Sequence, residues 1–156
     1  TRGVSELDIN MFYQLYTISD ISLITELKGN QISSEDLQDY AKAFKTVEVY
    51  GEIGFLYLDN GNDSLLGASS DIVVTIAGVN IVIAYAPREN GIKFSTRSIN
   101  KNIKANDLVR FILEGRGFGG GHDSMAGGFL PMDSLESDRS LHTFVRHRAI
   151  TFIENA

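Results

Sequence analysis

The stretch SSDIVVTIAGVNIVIAY, residues 69–85, limits the fold more than any other part of the chain. It is too apolar to lie on a surface and shorter than the roughly 20 apolar residues of a membrane-spanning helix, so it must be buried in a globule. Its β-branched side chains favour strand, but periodicity alone does not divide helix from strand in such a run. Gly78 is taken as the break, with a helix capped by Ser69 or Ser70 before it and a strand over 80–86 after it. "ENG", 89–91, then reads as a tight hairpin of the type that needs φ > 0 at both central residues. The returning strand is "IKFSTRS", 92–98. Upstream, Val47 and Val49 alternate with polar neighbours, "IGFLYL" (53–58) is apolar throughout like a strand covered on both faces, and "DNGND" (59–63) is a turn by composition. Strands buried on both sides require helices as cover. The predicted class is therefore α/β, a central mixed sheet flanked by helices.

The helices come mainly from the two ends. Ser5 with Asp8 forms a capping box, and Ile9, Phe12, Tyr13 and Tyr16 follow at i, i+3, i+4, i+7. A second helix fits 20–28, with Ile21, Ile24 and Leu27 inward and Gly29 ending it. A third starts at "SSED", capped by Ser33 or Ser34, with Leu37, Tyr40, Ala41 and Phe44 on one stripe. Leu108, Phe111 and Ile112 mark a helix starting near Asn106. Residues 138–155 place Leu141, Phe144, Val145, Ala149 and Phe152 on one helical face. The expected organisation is a helical connector over 1–44 and an α/β domain over 45–156. The opening "TRGVSELD" reads as the middle of a longer protein.

A chain of 156 residues suits one core, and a globule of this size buries roughly 70% of its unfolded surface. It has no cysteine, which rules out disulfides and thiolate metal sites, and no secretory signal pattern; a cytoplasmic setting is expected. The net charge of −6 argues against a general nucleic-acid binder held by a basic surface. The charge is uneven, however: residues 88–122 hold seven of the fourteen basic residues against three acids. A positive field on an acidic body suits a small anion better than a long polymer.

Several catalytic patterns fail on context or are missing. "GRGFGG", 115–120, matches the dinucleotide fingerprint, but it follows a helix where a strand is required. No Gly-Lys-Ser/Thr phosphate loop, H-E-x-x-H or G-x-S-x-G occurs. His142 and His147 stand about 140° apart on a helix and cannot share a metal through one face. The stretch "GFGGGHDSMAGG", 117–128, is left, with Arg97 in the strand before it. Glycines let peptide N–H groups converge on an anion with no Cβ in the way. His122 can donate to a phosphoryl oxygen, and Arg97 can clamp it through two N–H groups. If "DSMA" turns helical, its first amides add positive potential at the same point.

The order of these pieces is more specific than any one of them. Ser95, Arg97 and Ser98 in S-x-R-S, followed after a helix by Gly119, Gly120, Gly121, His122, Ala126 and Gly127 in GGGH-x-x-x-A-G, resemble the DHHA1 domain, the substrate-binding half of the DHH phosphoesterases. The resemblance runs over about 69–131. Met125 departs from it, standing where the family commonly has a small residue. The resemblance implies that Arg97, Ser98, Gly119, Gly120, Gly121 and His122 bind a nucleotide phosphate. It further implies that Mn2+ sits on Asp and His residues of a separate N-terminal catalytic domain, so this chain itself holds no cofactor and no catalytic residue. The Asp-His-His signature of that domain does not occur here. The implied activity is hydrolysis of short oligonucleotides or small nucleotides by the whole protein, with this piece inactive alone. The implied partners are such a nucleotide and the chain's own catalytic domain, with a homodimer left open. The alternative is a binding module that performs no hydrolysis, a nucleotide sensor or the RNA-contacting tail of alanyl-tRNA synthetases.

Overall fold

A computed structural model of the chain describes residues 4–28, 34–59, 62–134 and 140–156. The chain divides into two compact units, Thr1–Ser33 and Ser34–Ala156. The first holds α1 (Glu6–Ile18) and α2 (Ile21–Lys28). Ser5 Oγ accepts from the Asp8 N–H, and the Asp8 carboxylate accepts from the Ser5 N–H at 2.7 Å, which is the reciprocal box expected. These hydrogen bonds hold the Asp8 carboxyl below its ordinary range. Asp20 starts α2, its Oδ1 accepting from the Leu23 N–H. Gly29 and Ser33, read as helix punctuation, lie outside the described residues, as do the side chain of Leu27, residues 60–61 of the turn and Asp138.

The second unit is built on a six-stranded mixed sheet in the order β1-β2-β3-β4-β6-β5. The strands are β1 (Glu48–Tyr50), β2 (Ile53–Tyr57), β3 (Ile81–Arg88), β4 (Gly91–Ser98), β5 (Phe118–Gly121) and β6 (Met125–Pro131). Its helices are α3 (Ser34–Lys45), α4 (Asp63–Val73), α5 (Ala105–Leu113) and α6 (Leu141–Glu154). Strands β2 and β3 run parallel, joined through α4. β3 and β4 form a hairpin, and β6 lies antiparallel to both β4 and β5. The hairpin reverses the strand direction between the two crossovers, β2-α4-β3 and β4-α5-β5. Right-handed crossovers in opposite strand directions place their helices on opposite faces of the sheet.

Period-two alternation then sorts the core. Ile53, Phe55, Ile81, Ile83, Tyr85, Ile92 and Phe94 pack under α5 and α6. Leu56, Val82, Ala84 and Ala86 pack on the other side with Leu65, Leu66 and Val73 of α4 and Ala43 of α3. The apolar runs at 53–58 and 81–86 are thus buried on both faces, as parallel neighbours require.

Two local expectations are corrected. The helix before Gly78 begins at Asp63, not at a Ser69 or Ser70 cap: Asn62 Oδ1 accepts from the Leu65 N–H at 2.8 Å, and Asp63 adds an acid to the first turn. Ser69 and Ser70 are fully buried inside α4, and Ser70 Oγ donates to the Leu66 carbonyl. The hairpin exists, but Arg88 pairs with Gly91, so the central residues are Glu89 and Asn90, and no described non-glycine residue has positive φ. Gly91 serves packing instead, because a Cβ there would overlap the Leu130 carbonyl oxygen.

Candidate functional site

Lys93, Ser95 and Arg97 alternate along β4 onto the α4 face of the sheet. Their cross-strand partners on β6 are Phe129, Gly127 and Met125, and Gly120 of β5 stands opposite Gly127. Helix α4 packs mainly on β3 and β4. Beside its edge the sheet carries glycine where side chains would otherwise fill the space. A groove of about 340 Å³ results, with Ser95, Arg97, Gly120 and Gly127 along it, Asp63 and Leu66 of α4 on one side, and Gly121 and His122 at the far end.

Arg97 is held on several sides. Its Nε donates to Asp71 Oδ1 at 2.6 Å, and its Nη1 donates to Ser95 Oγ at 3.0 Å and to the Thr96 carbonyl at 3.2 Å. Ser95 Oγ in turn lies 3.1 Å from Ser70 Oγ. The Arg97 side chain is only 11% exposed. Among the described residues Nη2 has no hydrogen-bond partner, and the nearest heavy atom to a Cβ built on Gly67 would be this nitrogen, at 3.7 Å. The two-handed clamp foreseen for Arg97 is therefore reduced to one free nitrogen while Asp71 holds Nε.

The loop carrying His122 is pinned by three main-chain hydrogen bonds. The His122 N–H donates to the Met125 carbonyl at 2.7 Å, Ala105 N–H to the Asp123 carbonyl at 2.8 Å, and Ser98 N–H to the Ser124 carbonyl at 3.0 Å. The imidazole itself is exposed. "DSMA" is no helix, contrary to expectation: 122–124 turns the β5–β6 hairpin, and Met125 and Ala126 open β6. Met125 thus sits on a strand lining the groove. β-Pairing won because the residues flanking this turn face each other in register, Gly121 with Ala126 and Gly120 with Gly127. The glycine amides accordingly lie along an edge strand and do not form a nest; the Gly121 N–H donates to Asn106 Oδ1 at 3.1 Å. A Cβ on Gly121 would come within 2.5 Å of the Met125 carbonyl oxygen and 2.6 Å of Ala126 Cα.

Arg97, Gly120, Gly121 and His122 thus share one groove, and two other named residues do not line it. Ser98 is buried with its hydroxyl on the Ile103 carbonyl. Gly119 backs onto α5, where a Cβ would meet Val109 and Leu113. Lys93 and Asp63 are additions. Asp63 accepts from Arg88 at 2.8 Å and pairs with Lys93 at 3.5 Å. The Arg88 hydrogen bond, aided by the charge of Lys93 and Arg88, holds the Asp63 carboxyl below the usual range despite partial burial. Strand period alone would have found Lys93, two residues from Ser95 and four from Arg97. Asp63 and Asp71 reach the site only through the placement of α4. Among the described residues, no group of three or more His, Cys, Asp or Glu side chains is placed to hold a metal.

Residues 51–142 match the family model of the DHHA1 domain. The chain belongs to this family. Solved structures agree on the fold. An exopolyphosphatase-related protein from Bacteroides fragilis aligns over 98% of this chain at a TM-score of 0.71 and 18% identity. Only 45% of that protein is covered, so this chain spans less than half its length. RecJ from Thermus thermophilus, in complex with Mn2+, aligns over 78% of this chain and 17% of its own (TM-score 0.58, 16% identity). The C-Ala domain of Aquifex aeolicus alanyl-tRNA synthetase aligns over 67% of this chain and 96% of its own (TM-score 0.52, 16% identity). No curated protein sequence matches the chain. No helix among the described residues is long and apolar enough to cross a membrane.

Proposed function

We propose that this DHHA1 domain binds the phosphate of a short oligonucleotide or small nucleotide, as the substrate-holding half of a manganese-dependent phosphoesterase. The observation that carries the reading is the shared groove: Arg97 from β4 and Gly120, Gly121 and His122 from the β5–β6 hairpin, with Lys93 beside them. Bare backbone admits a ligand close to the strand, Arg97 Nη2 and the imidazole are donors for phosphoryl oxygens, and Lys93 adds positive potential. The main chain at His122 is held before any ligand arrives, because its loop is tied to β4, β6 and the start of α5. That preorganisation lowers the ordering cost of binding.

The metal ions that activate water in such an enzyme belong, in this reading, to a catalytic domain reached through the connector at 1–44. The residues of this chain hold and orient the phosphate, and the chain alone is inactive. The test is calorimetry of the 156-residue chain against a short oligonucleotide and adenosine bisphosphate, with Arg97→Ala and His122→Ala alongside. Weak binding that both substitutions abolish is expected. Binding that both leave unchanged would overturn the proposal.

A second reading, a binding module without hydrolysis, draws support from the C-Ala domain, nearly all of which this chain covers. On this second reading the chain is expected to prefer a folded RNA over short nucleotides. The same calorimetry, extended to a tRNA, separates the two.

A further inference from the structure

A second cavity, of about 320 Å³, lies on the opposite face of the sheet from the groove, at the β2–β3 end. Nothing in the phosphate-binding reading uses it. Phe55 and Tyr85 are buried in it, Tyr57 and Arg146 are half-buried, and His142 and Glu48 stand at its mouth. Its volume falls at the small end of ligand sites, which start at roughly 300 Å³ and suit one flat ring system better than a chain of residues.

The rings cluster at angles to one another. Tyr57 stands edge-on to His142 with 4.7 Å between centroids, and Tyr57 and Tyr85 are 5.5 Å apart. The Tyr85 hydroxyl lies 2.7 Å from His142 Nδ1. Burial pushes the Tyr85 phenol up to about 12, so it keeps its proton at ordinary pH. With the imidazole neutral, that phenol donates to Nδ1, and the ring N–H is left on Nε2. Arg146 pairs with Glu48 through Nη2 and extends over the Phe55 ring, 5.7 Å from its centroid. Its Nε–H is buried and has no acceptor. A buried donor without an acceptor is costly.

The lining therefore offers ring faces, donors on His142 and Lys45, and one carboxylate acceptor on Glu48. An alkyl chain would leave the donors unmet. A bare anion would meet Lys45 but also the Glu48 carboxylate, and it would gain nothing from the rings. A flat heterocycle with acceptors and N–H donors on one edge answers all three features. From this geometry we infer that the cavity is a nucleobase subsite, which takes the ring of a nucleoside and has no need of its phosphate.

The experiment is an NMR titration of the 156-residue chain with adenosine and, separately, with inorganic phosphate, read at the aromatic signals of Tyr57, Tyr85 and His142. Saturable shifts of Tyr57 and His142 with adenosine, and none with phosphate, are expected. Tyr57→Ala should weaken adenosine binding about tenfold or more, the scale of a lost base–ring stack. Glu48→Ala, at an exposed edge position, is measured with it as a variant that leaves the core rings in place, and a loss of several-fold is expected; thermal unfolding reports whether each variant is folded. Unmoved Tyr57 and His142 signals, an equal response to phosphate, or unchanged affinity in folded variants would each overturn the inference. So would adenosine shifts confined to Gly120, Gly121 and His122. Because adenosine carries no phosphate, failure here leaves the groove's phosphate reading standing.

Discussion

The two faces of the same sheet differ in how far their helices reach. Under α5 and α6 the cover runs from β2 to β5, and Ile92, Phe94, Ala126 and Leu130 point into a closed core. Under α4 and α3 it lies mainly over β2 to β4, and the strands β4 and β6 present Lys93, Ser95, Arg97 and Gly127 to an open groove. One period-two alternation thus writes a core on one side and a polar floor on the other. A sheet face without a helix meets solvent and is not apolar, and here glycines and a tethered arginine occupy it.

The comparison can be broken most forcefully on the closed face. Ile83→Ala, fully buried beneath α5 and α6, should cost about 2–5 kcal/mol, read as a lower urea midpoint. Gly121→Ala comes next, at about 1–3 kcal/mol by the same measurement, because the new Cβ strikes β6 backbone rather than a movable side chain. On the open face the effect should move from stability to binding. Arg97→Ala should lower oligonucleotide affinity by about 10- to 100-fold, the scale of a charged hydrogen bond worth about 1.5–3 kcal/mol, in calorimetry of folded protein. Asp71→Asn keeps the guanidinium but loosens its Nε anchor, and a change of only a few-fold in the same affinity is expected, in the direction set by whether Nε is freed for the ligand.

The smallest effect concerns Asp63. Its folded carboxyl titrates below the unfolded one, so the stability it contributes is present above the ordinary carboxylate range and lost as pH falls through the depressed value. For so exposed a pair this is at most about 1 kcal/mol. Stability curves of wild type and Asp63→Asn should converge at acid pH and separate towards neutrality. Parallel curves would contradict that linkage.

The closed face was largely legible beforehand. Apolar runs at 53–58 and 80–86, a tight hairpin after the second of them and the stripe from Leu141 to Phe152 are local patterns, and burial on both sides enforces them. What escaped was decided by competition between neighbours or by tertiary placement. Asn62 and Asp63 outbid Ser69 and Ser70 as a helix start because a capping amide followed by an acidic first turn stood upstream of them. "DSMA" became strand because Gly120 and Gly121 found partners across the turn. Arg97, Gly120, Gly121 and His122 could be named from motif order, but Asp71, which takes two-thirds of the clamp's freedom away with Ser95 and Thr96, lies 26 residues from Arg97 and meets it only when α4 crosses the sheet. The Tyr85–His142 pair, 57 residues apart, left no sequence signal at all.

The central claim is that the uncovered glycine floor, and no other part of this unit, receives the phosphate. An amide NMR titration of the 156-residue chain with inorganic phosphate tests it most directly. Saturable shifts centred on Gly120, Gly121 and His122, lost in Arg97→Ala, are predicted; shifts scattered over the basic residues of 88–122, or absent from the hairpin, would contradict it.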